Sequence, residues 1–159
     1  MSAESTNLRA ARPEDADGIS RLVITTLYRS NAKDYPPEVL ARVAEVNAPQ
    51  RVLDAMRERS VWVAVAADGE IVGTAGVCGD VLKSLFVHPK EQGRGLGRLL
   101  LGKAMDAARG AGLSEMRLQS SLTALGFYPA AGFEDLAEIA EGDDRTVLMR
   151  RSLRPPIPA

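Results

Sequence analysis

The sequence predicts an α/β fold in one domain, and three observations carry that reading. Residues 81–97 deliver a short strand, rich in Val81, Leu82, Leu85, Phe86 and Val87, into a glycine-rich loop, and a helix follows over 98–111. Two apolar runs, 61–67 and 71–78, flank Asp68-Gly69, a dipeptide strongly favoured in tight hairpins. A length of 159 residues suits one buried core and is short for two. The domain is placed at 1–153, with a flexible tail over 154–159.

Each element follows from local pattern. A strand is expected over 8–11. Pro13-Glu14-Asp15-Ala16-Asp17 then reads as a helix entry, with proline early and acids in the first turn. Ile19, Leu22, Val23, Thr26 and Leu27 give that helix its buried face, and residues 28–34 break into polar character. Pro36-Pro37-Glu38 starts a second helix carrying Val39, Leu40, Val43 and Val46; Pro49 interrupts it, and a short helix is expected over 52–59. Trp62, alternating with Val61 and Val63, is read as packing. His88-Pro89 closes the central strand, because proline cannot donate to a ladder.

In the following helix Leu96, Leu99, Leu100, Ala104, Ala107 and Ala108 recur at three- and four-residue steps and are assigned to the buried face. Gly110 and Gly112 end it. A strand over 116–120, a helix over 122–130 and a final strand pair, 133–139 and 146–151, complete the chain.

Gly93, Gly95 and Gly97 stand at alternate positions where the long helix begins. A helix start offers unpaired N–H groups and the positive end of a dipole, and residues without a Cβ let an anion approach the backbone. Arg94 and Arg98 add charge there, so the loop reads as a phosphate cradle. It is not a dinucleotide fingerprint, since Arg98 occupies the third glycine's place, nor a Walker loop, since Gly97 precedes Arg98 and Leu99.

The string Gln92-x-x-Gly95-x-Gly97, behind a strand ending in Val-x-Pro, resembles the acetyl-CoA signature of the GCN5-related N-acetyltransferases (GNAT). The block Ser121-Leu122-Thr123-Ala124-Leu125-Gly126-Phe127-Tyr128-Pro129-Ala130-Ala131-Gly132-Phe133 is similar to a second motif of that family, in the right order. The opening Leu-Arg-x-Ala-x-Pro-Glu-Asp also resembles its first strand and helix. The resemblance implies an α+β mixed sheet, mostly antiparallel and flanked by helices, in which two central parallel strands, here 81–87 and 116–120, splay apart around pantetheine.

It also implies acetyl-CoA as cofactor and a small-molecule or peptide amine as partner. Leu85, Phe86 and Val87 are assigned to the cofactor through their backbones, and Gln92, Gly93, Arg94, Gly95, Leu96, Gly97 and Arg98 to its pyrophosphate. Acetyl transfer to a primary amine would proceed by direct attack through a tetrahedral intermediate. The oxyanion would rest on the N–H of Phe86 or Val87, and Tyr128 would be the general acid toward the departing thiolate.

Two departures from the family pattern stand out. Ser121 replaces the Asn of many relatives. Val81 stands where many carry a carboxylate, which leaves Asp80, one residue earlier, as a base candidate beside a water relay or an amine arriving neutral. The region over the acceptor nominates Tyr28, Asp34, Tyr35 and Glu38 as substrate contacts. His88, the sole histidine, is read as the strand's exit.

Composition narrows the partners. Lys+Arg 20 against Asp+Glu 21, a net charge of -1, gives no general field to attract nucleic acid or an anionic membrane. Cys78 is the only cysteine, expected as a small buried residue closing a strand; it permits neither an intrachain disulfide nor a zinc cluster, and no metal is expected. No apolar run nears the length of a membrane span, so a cytoplasmic location is expected, and a homodimer is left open. The competing reading is a non-catalytic CoA-binding regulatory module of the same fold.

Overall fold

In the computed structural model, which describes residues 6–154, seven strands form one sheet in the order β1-β2-β3-β4-β5-β7-β6. The strands are β1 (Asn7–Ala10), β2 (Ser60–Val65), β3 (Ile71–Cys78), β4 (Val81–Val87), β5 (Glu115–Ser121), β6 (Glu134–Glu141) and β7 (Asp144–Ser152). The helices are α1 (Ala16–Thr26), α2 (Pro37–Val46), α3 (Pro49–Ala55), α4 (Leu96–Gly110) and α5 (Phe127–Ala130). Every pairing is antiparallel except β4 with β5.

Two apolar layers sandwich the sheet. On one face α4 lays Leu96, Leu100, Leu101, Ala104, Met105 and Ala108 over Ala64, Ala75, Val77, Leu82, Met116, Leu118 and Met149. Gly73 makes this approach possible, because a Cβ there would stand 2.8 Å from Leu100. On the other face Ile19, Val23, Leu27, Val39, Leu40 and Val52 cluster on Val63. Trp62 packs on the first face, half-buried.

The parallel pair places the site. β4 and β5 are in register only at Val81 with Arg117 and Leu82 with Leu118, and the Arg117 N–H also reaches the Asp80 carbonyl at 2.8 Å. Beyond that point β4 stays with β3 as far as Val87, and β5 stays with β7 as far as Ser121. The sheet therefore opens between Leu85, Phe86 and Val87 on one side and the end of β5 on the other, as the family resemblance implies. A bulge near this opening, where Gly76 faces Ser84 and Val77 faces Leu82, leaves Lys83 unpaired on β4. The extra residue brings Leu82 and Leu85 to the same α4 face.

Several local expectations change. The polar stretch 28–34 does not end the first helix: α1 runs on into a π-helical turn, Leu27–Asn31, with Leu27 and Asn31 inward and Tyr28 and Arg29 outward. α3 begins at Pro49 itself, which suits a first helical position where no N–H is needed, and it ends at Ala55. In α4 Leu99 is 51% exposed, while Leu101 and Met105 point inward. That face is turned so as to bridge both clusters over the sheet. The helix expected over 122–130 is two short turns, Leu122–Ala124 and Phe127–Ala130, parted at Leu125-Gly126. Cys78 is exposed rather than buried, because β3 ends there and turns out through Gly79. The tail expected beyond the domain lies, after Arg154, outside the described residues. No helix among the described residues is long and apolar enough to cross a membrane.

Candidate active site

The opened edge of β4 has its own polarity. The His88 N–H bonds the Val72 carbonyl at 2.8 Å, and Thr74 faces Phe86 two positions on. Alternation in an antiparallel ladder then turns the amide groups of Phe86 toward β3 and those of Leu85 and Val87 toward the gap. The expectation that Phe86 offers its N–H to the gap is corrected by this register. The Val87 carbonyl already accepts from the Gln92 amide at 3.0 Å, which leaves the Val87 N–H and both groups of Leu85 at the open edge.

Gln92 also reaches Ser30 Oγ at 3.4 Å, tying the loop to the end of the first helix. Gly93 and Gly95 adopt φ of 79° and 86°, left-handed values that side chains disfavour. The Leu99 N–H makes the first bond of α4, to the Gly95 carbonyl at 3.1 Å, so the N–H groups of Leu96, Gly97 and Arg98 are unpaired by the helix. The Leu96 side chain is core, so only its N–H can serve an anion. A Cβ at Gly97 would meet the Phe127 ring at 3.2 Å, which keeps α4 close to α5. Arg98 donates to the Ala130 carbonyl at 2.9 Å, and Arg94 stands 3.8 Å from Glu91.

A cavity of about 490 Å³ runs along these groups, lined by Leu85, Phe86, Val87, Gln92, Gly93, Gly95, Gly97 and Arg98 from the strand and loop and by Ser121 and Tyr128 across the gap. Arg94 and Leu96 are not among its lining residues. A second cavity, about 300 Å³, lies between the first two helices and the sheet, walled by Leu27, Val39, Leu40, Val43, Leu82 and Phe86. The two share Asn31, Leu85, Phe86, Ser121, Ala124 and Tyr128. Where they meet, Tyr128 is 7% exposed, held edge-on by Phe127 at 5.1 Å and Phe133 at 5.7 Å between ring centres. Its hydroxyl makes no hydrogen bond to another described residue, and burial pushes the phenol pKa up.

The acceptor candidates divide. Tyr35 lines the second cavity, but its hydroxyl is engaged, donating to the Arg145 carbonyl at 2.7 Å and accepting the Leu122 N–H at 2.8 Å. Burial raises its pKa as well. Asp34 accepts from the Thr123 hydroxyl at 2.7 Å, closing the loop over the end of β5. Tyr28, 49% exposed, and Glu38, also exposed, line neither cavity. Asp80 sits at the closed end of the splay. Five residues of strand, about 20 Å over six steps, part it from Phe86, and it lines neither cavity, so the base role expected for it is corrected. His88 accepts the Lys90 N–H at 3.1 Å and caps the turn after β4. Pattern reading misses Asn31, Lys83, Gln119, Asp144 and Thr146, which reach the second cavity from four separate elements. None of them carries a local signal: Asn31 lies within the polar stretch 28–34, and the others read as the polar positions of ordinary strands.

The fold and this pair of joined cavities define an acyl-group transferase. Comparison with known proteins gives its family: residues 31–150 match the acetyltransferase (GNAT) domain, and the chain belongs to the GNAT acetyltransferases. It is 27% identical over 128 residues, 80% of this chain and 83% of the relative, to the peptidyl-lysine N-acetyltransferase YjaB of Salmonella typhimurium. Among solved structures, a GCN5-related N-acetyltransferase from Rhodopseudomonas palustris superposes with a TM-score of 0.84 at 22% identity, covering 93% of this chain and 96% of its own. The PaiA N-acetyltransferase of Thermoplasma acidophilum, solved with coenzyme A, gives 0.81 at 18% identity, covering 93% and 99%. At these identities the likeness is one of fold.

Proposed function

We propose that this acetyltransferase moves an acetyl group from acetyl-CoA to a primary amine of a small molecule or peptide. The observation that carries the reading is the junction of the two cavities, one running to an amide-lined helix start and the other to a chamber of mixed apolar and polar walls. Acetyl-CoA supplies a thioester, an acyl group already activated toward nucleophiles.

The chain's own groups divide the work. The free N–H groups of Leu96, Gly97 and Arg98, with the left-handed bend at Gly93 and Gly95, suit a diphosphate, and Gln92 holds that bend against β4. Arg98 adds a positive charge at the cavity wall, and Arg94 adds one nearby. Leu85 offers its strand-edge N–H and carbonyl to pantetheine amides, with Ser121 opposite. The Val87 N–H is the donor for charge developing on the acyl oxygen, and Phe86 contributes its ring to the wall. Tyr128 holds a proton at its phenol oxygen through the neutral range and can give it to a departing thiolate. Tyr35 and Asp34 shape the acceptor side from its rim.

A lysine-containing peptide is the first acceptor to try, given the YjaB relative. The test is thiol release from acetyl-CoA in the presence of that peptide and a panel of small amines, alongside calorimetric binding of coenzyme A. Release that depends on the amine is expected. Tight coenzyme A binding with no turnover on any amine would instead favour the non-catalytic regulatory module.

A further inference from the structure

Asn31 closes the π-helical turn after α1 and is 8% exposed, yet its side-chain amide makes no hydrogen bond to another described residue. It lines both cavities, in the company of Phe86, Ser121 and Tyr128. Among the described residues the one fully enclosed polar side-chain atom without a hydrogen-bond partner is Glu91 Oε2, so the Asn31 amide keeps some exposure, and the cavities it lines place that exposure at their junction. An amide carries two N–H donors and an acceptor oxygen, and leaving these unmatched in a buried place is costly. Leu27 stands one turn before it and Val39 and Leu40 line the same chamber, whose wall also carries the charged Lys83 and Asp144 and the polar Gln119 and Thr146. A leucine would fill that space as well, so packing alone does not account for an amide there.

We propose that Asn31 orients the acceptor amine at the junction. The inference rests on the transfer reading above. A neutral amine has two N–H bonds and one lone pair. An amide oxygen can accept one N–H and leave the lone pair free to point at the acyl carbon. A carboxylate in the same place would favour the ammonium form, which has no lone pair to give. The identity of the group as an amide, rather than an acid, is therefore part of its chemistry.

Two substitutions test this with the lysine peptide and a small alkylamine as acceptors. In Asn31→Leu, kcat/KM for the amine is expected to fall about tenfold or more, well beyond any change in coenzyme A affinity, while the melting temperature does not fall. In Asn31→Asp, the rising limb of kcat against pH, which reports the bound amine's deprotonation, is expected to move to higher pH. A residue with only a structural role would move no such limb. If both variants turn over amine within twofold of the parent on an unshifted profile, the inference falls and the transfer reading stands. A parent that binds coenzyme A but acetylates no amine of the panel removes both.

Discussion

At the scale of single residues, Tyr128 and Asp15 show how much a side chain's surroundings add to its identity. Removing the phenol in Tyr128→Phe should lower kcat by roughly 10²- to 10⁴-fold while coenzyme A affinity, read by calorimetry, stays near the parent value. Because burial pushes the phenol upward, the acid stays protonated to higher pH than free tyrosine. No fall in kcat from this group is expected between pH 8 and 10. Asp15 accepts from both guanidinium nitrogens of Arg9, at 2.7 and 3.0 Å, and from the Arg12 N–H at 2.7 Å. The Arg9 hydrogen bonds hold its carboxyl below the usual range. A carboxylate depressed in the folded state stabilises above its unfolded pKa, about 3.9, and loses that contribution as pH falls through the folded value. Asp15→Ala should therefore cost about 2 kcal/mol near pH 7, and the difference from the parent in urea unfolding should shrink toward pH 3 and below. The place of Tyr128 in the cleft was legible because a motif surrounds it. Asp15 was read only as a first-turn acid, since nothing local announces that Arg9 on β1 folds back on it.

At the scale of elements, the second cavity is bordered by a strut that joins three parts of the chain. The Tyr35 hydroxyl, ahead of α2, bridges the Arg145 carbonyl on β7 and the Leu122 N–H just after β5. Tyr35→Phe leaves both backbone groups without that partner. Melting should report a loss of roughly 1–3 kcal/mol, and the acceptor KM should rise more than that of acetyl-CoA, because the strut borders the second cavity. The α4 helix was legible from its spacing, but its rotation was not. Periodicity puts Leu99 and Leu100 on adjacent angles, and only docking across two strand clusters decides that Leu100 and Leu101 go in and Leu99 stays out. The π turn at Leu27–Asn31 hid for a related reason, since Tyr28, Arg29 and Ser30 look like a helix ending.

At the scale of the whole molecule, the sheet's opening is what a ligand would stabilise. Coenzyme A at 100 times its dissociation constant should raise unfolding stability by about 2.7 kcal/mol, seen as an upward shift in melting temperature. ATP and NAD at the same concentration should give smaller shifts; a larger one from either would overturn the cofactor assignment. The sequence by itself determined the alternation of strands and helices, the glycine-rich bend of Gly93, Gly95 and Gly97 at a helix start, and the kinship that singled out Tyr128. All of these are written in residues close together in the chain, where periodicity and backbone preference act. Only the tertiary structure decided that Leu85 and Val87, rather than Phe86, face the gap, that Asp80 lies at its closed end, and that Asn31 and Asp144 share a chamber with Tyr128. Those outcomes depend on ladder register, on where two parallel strands part, and on contacts between segments a hundred residues apart, and no local pattern encodes such distances.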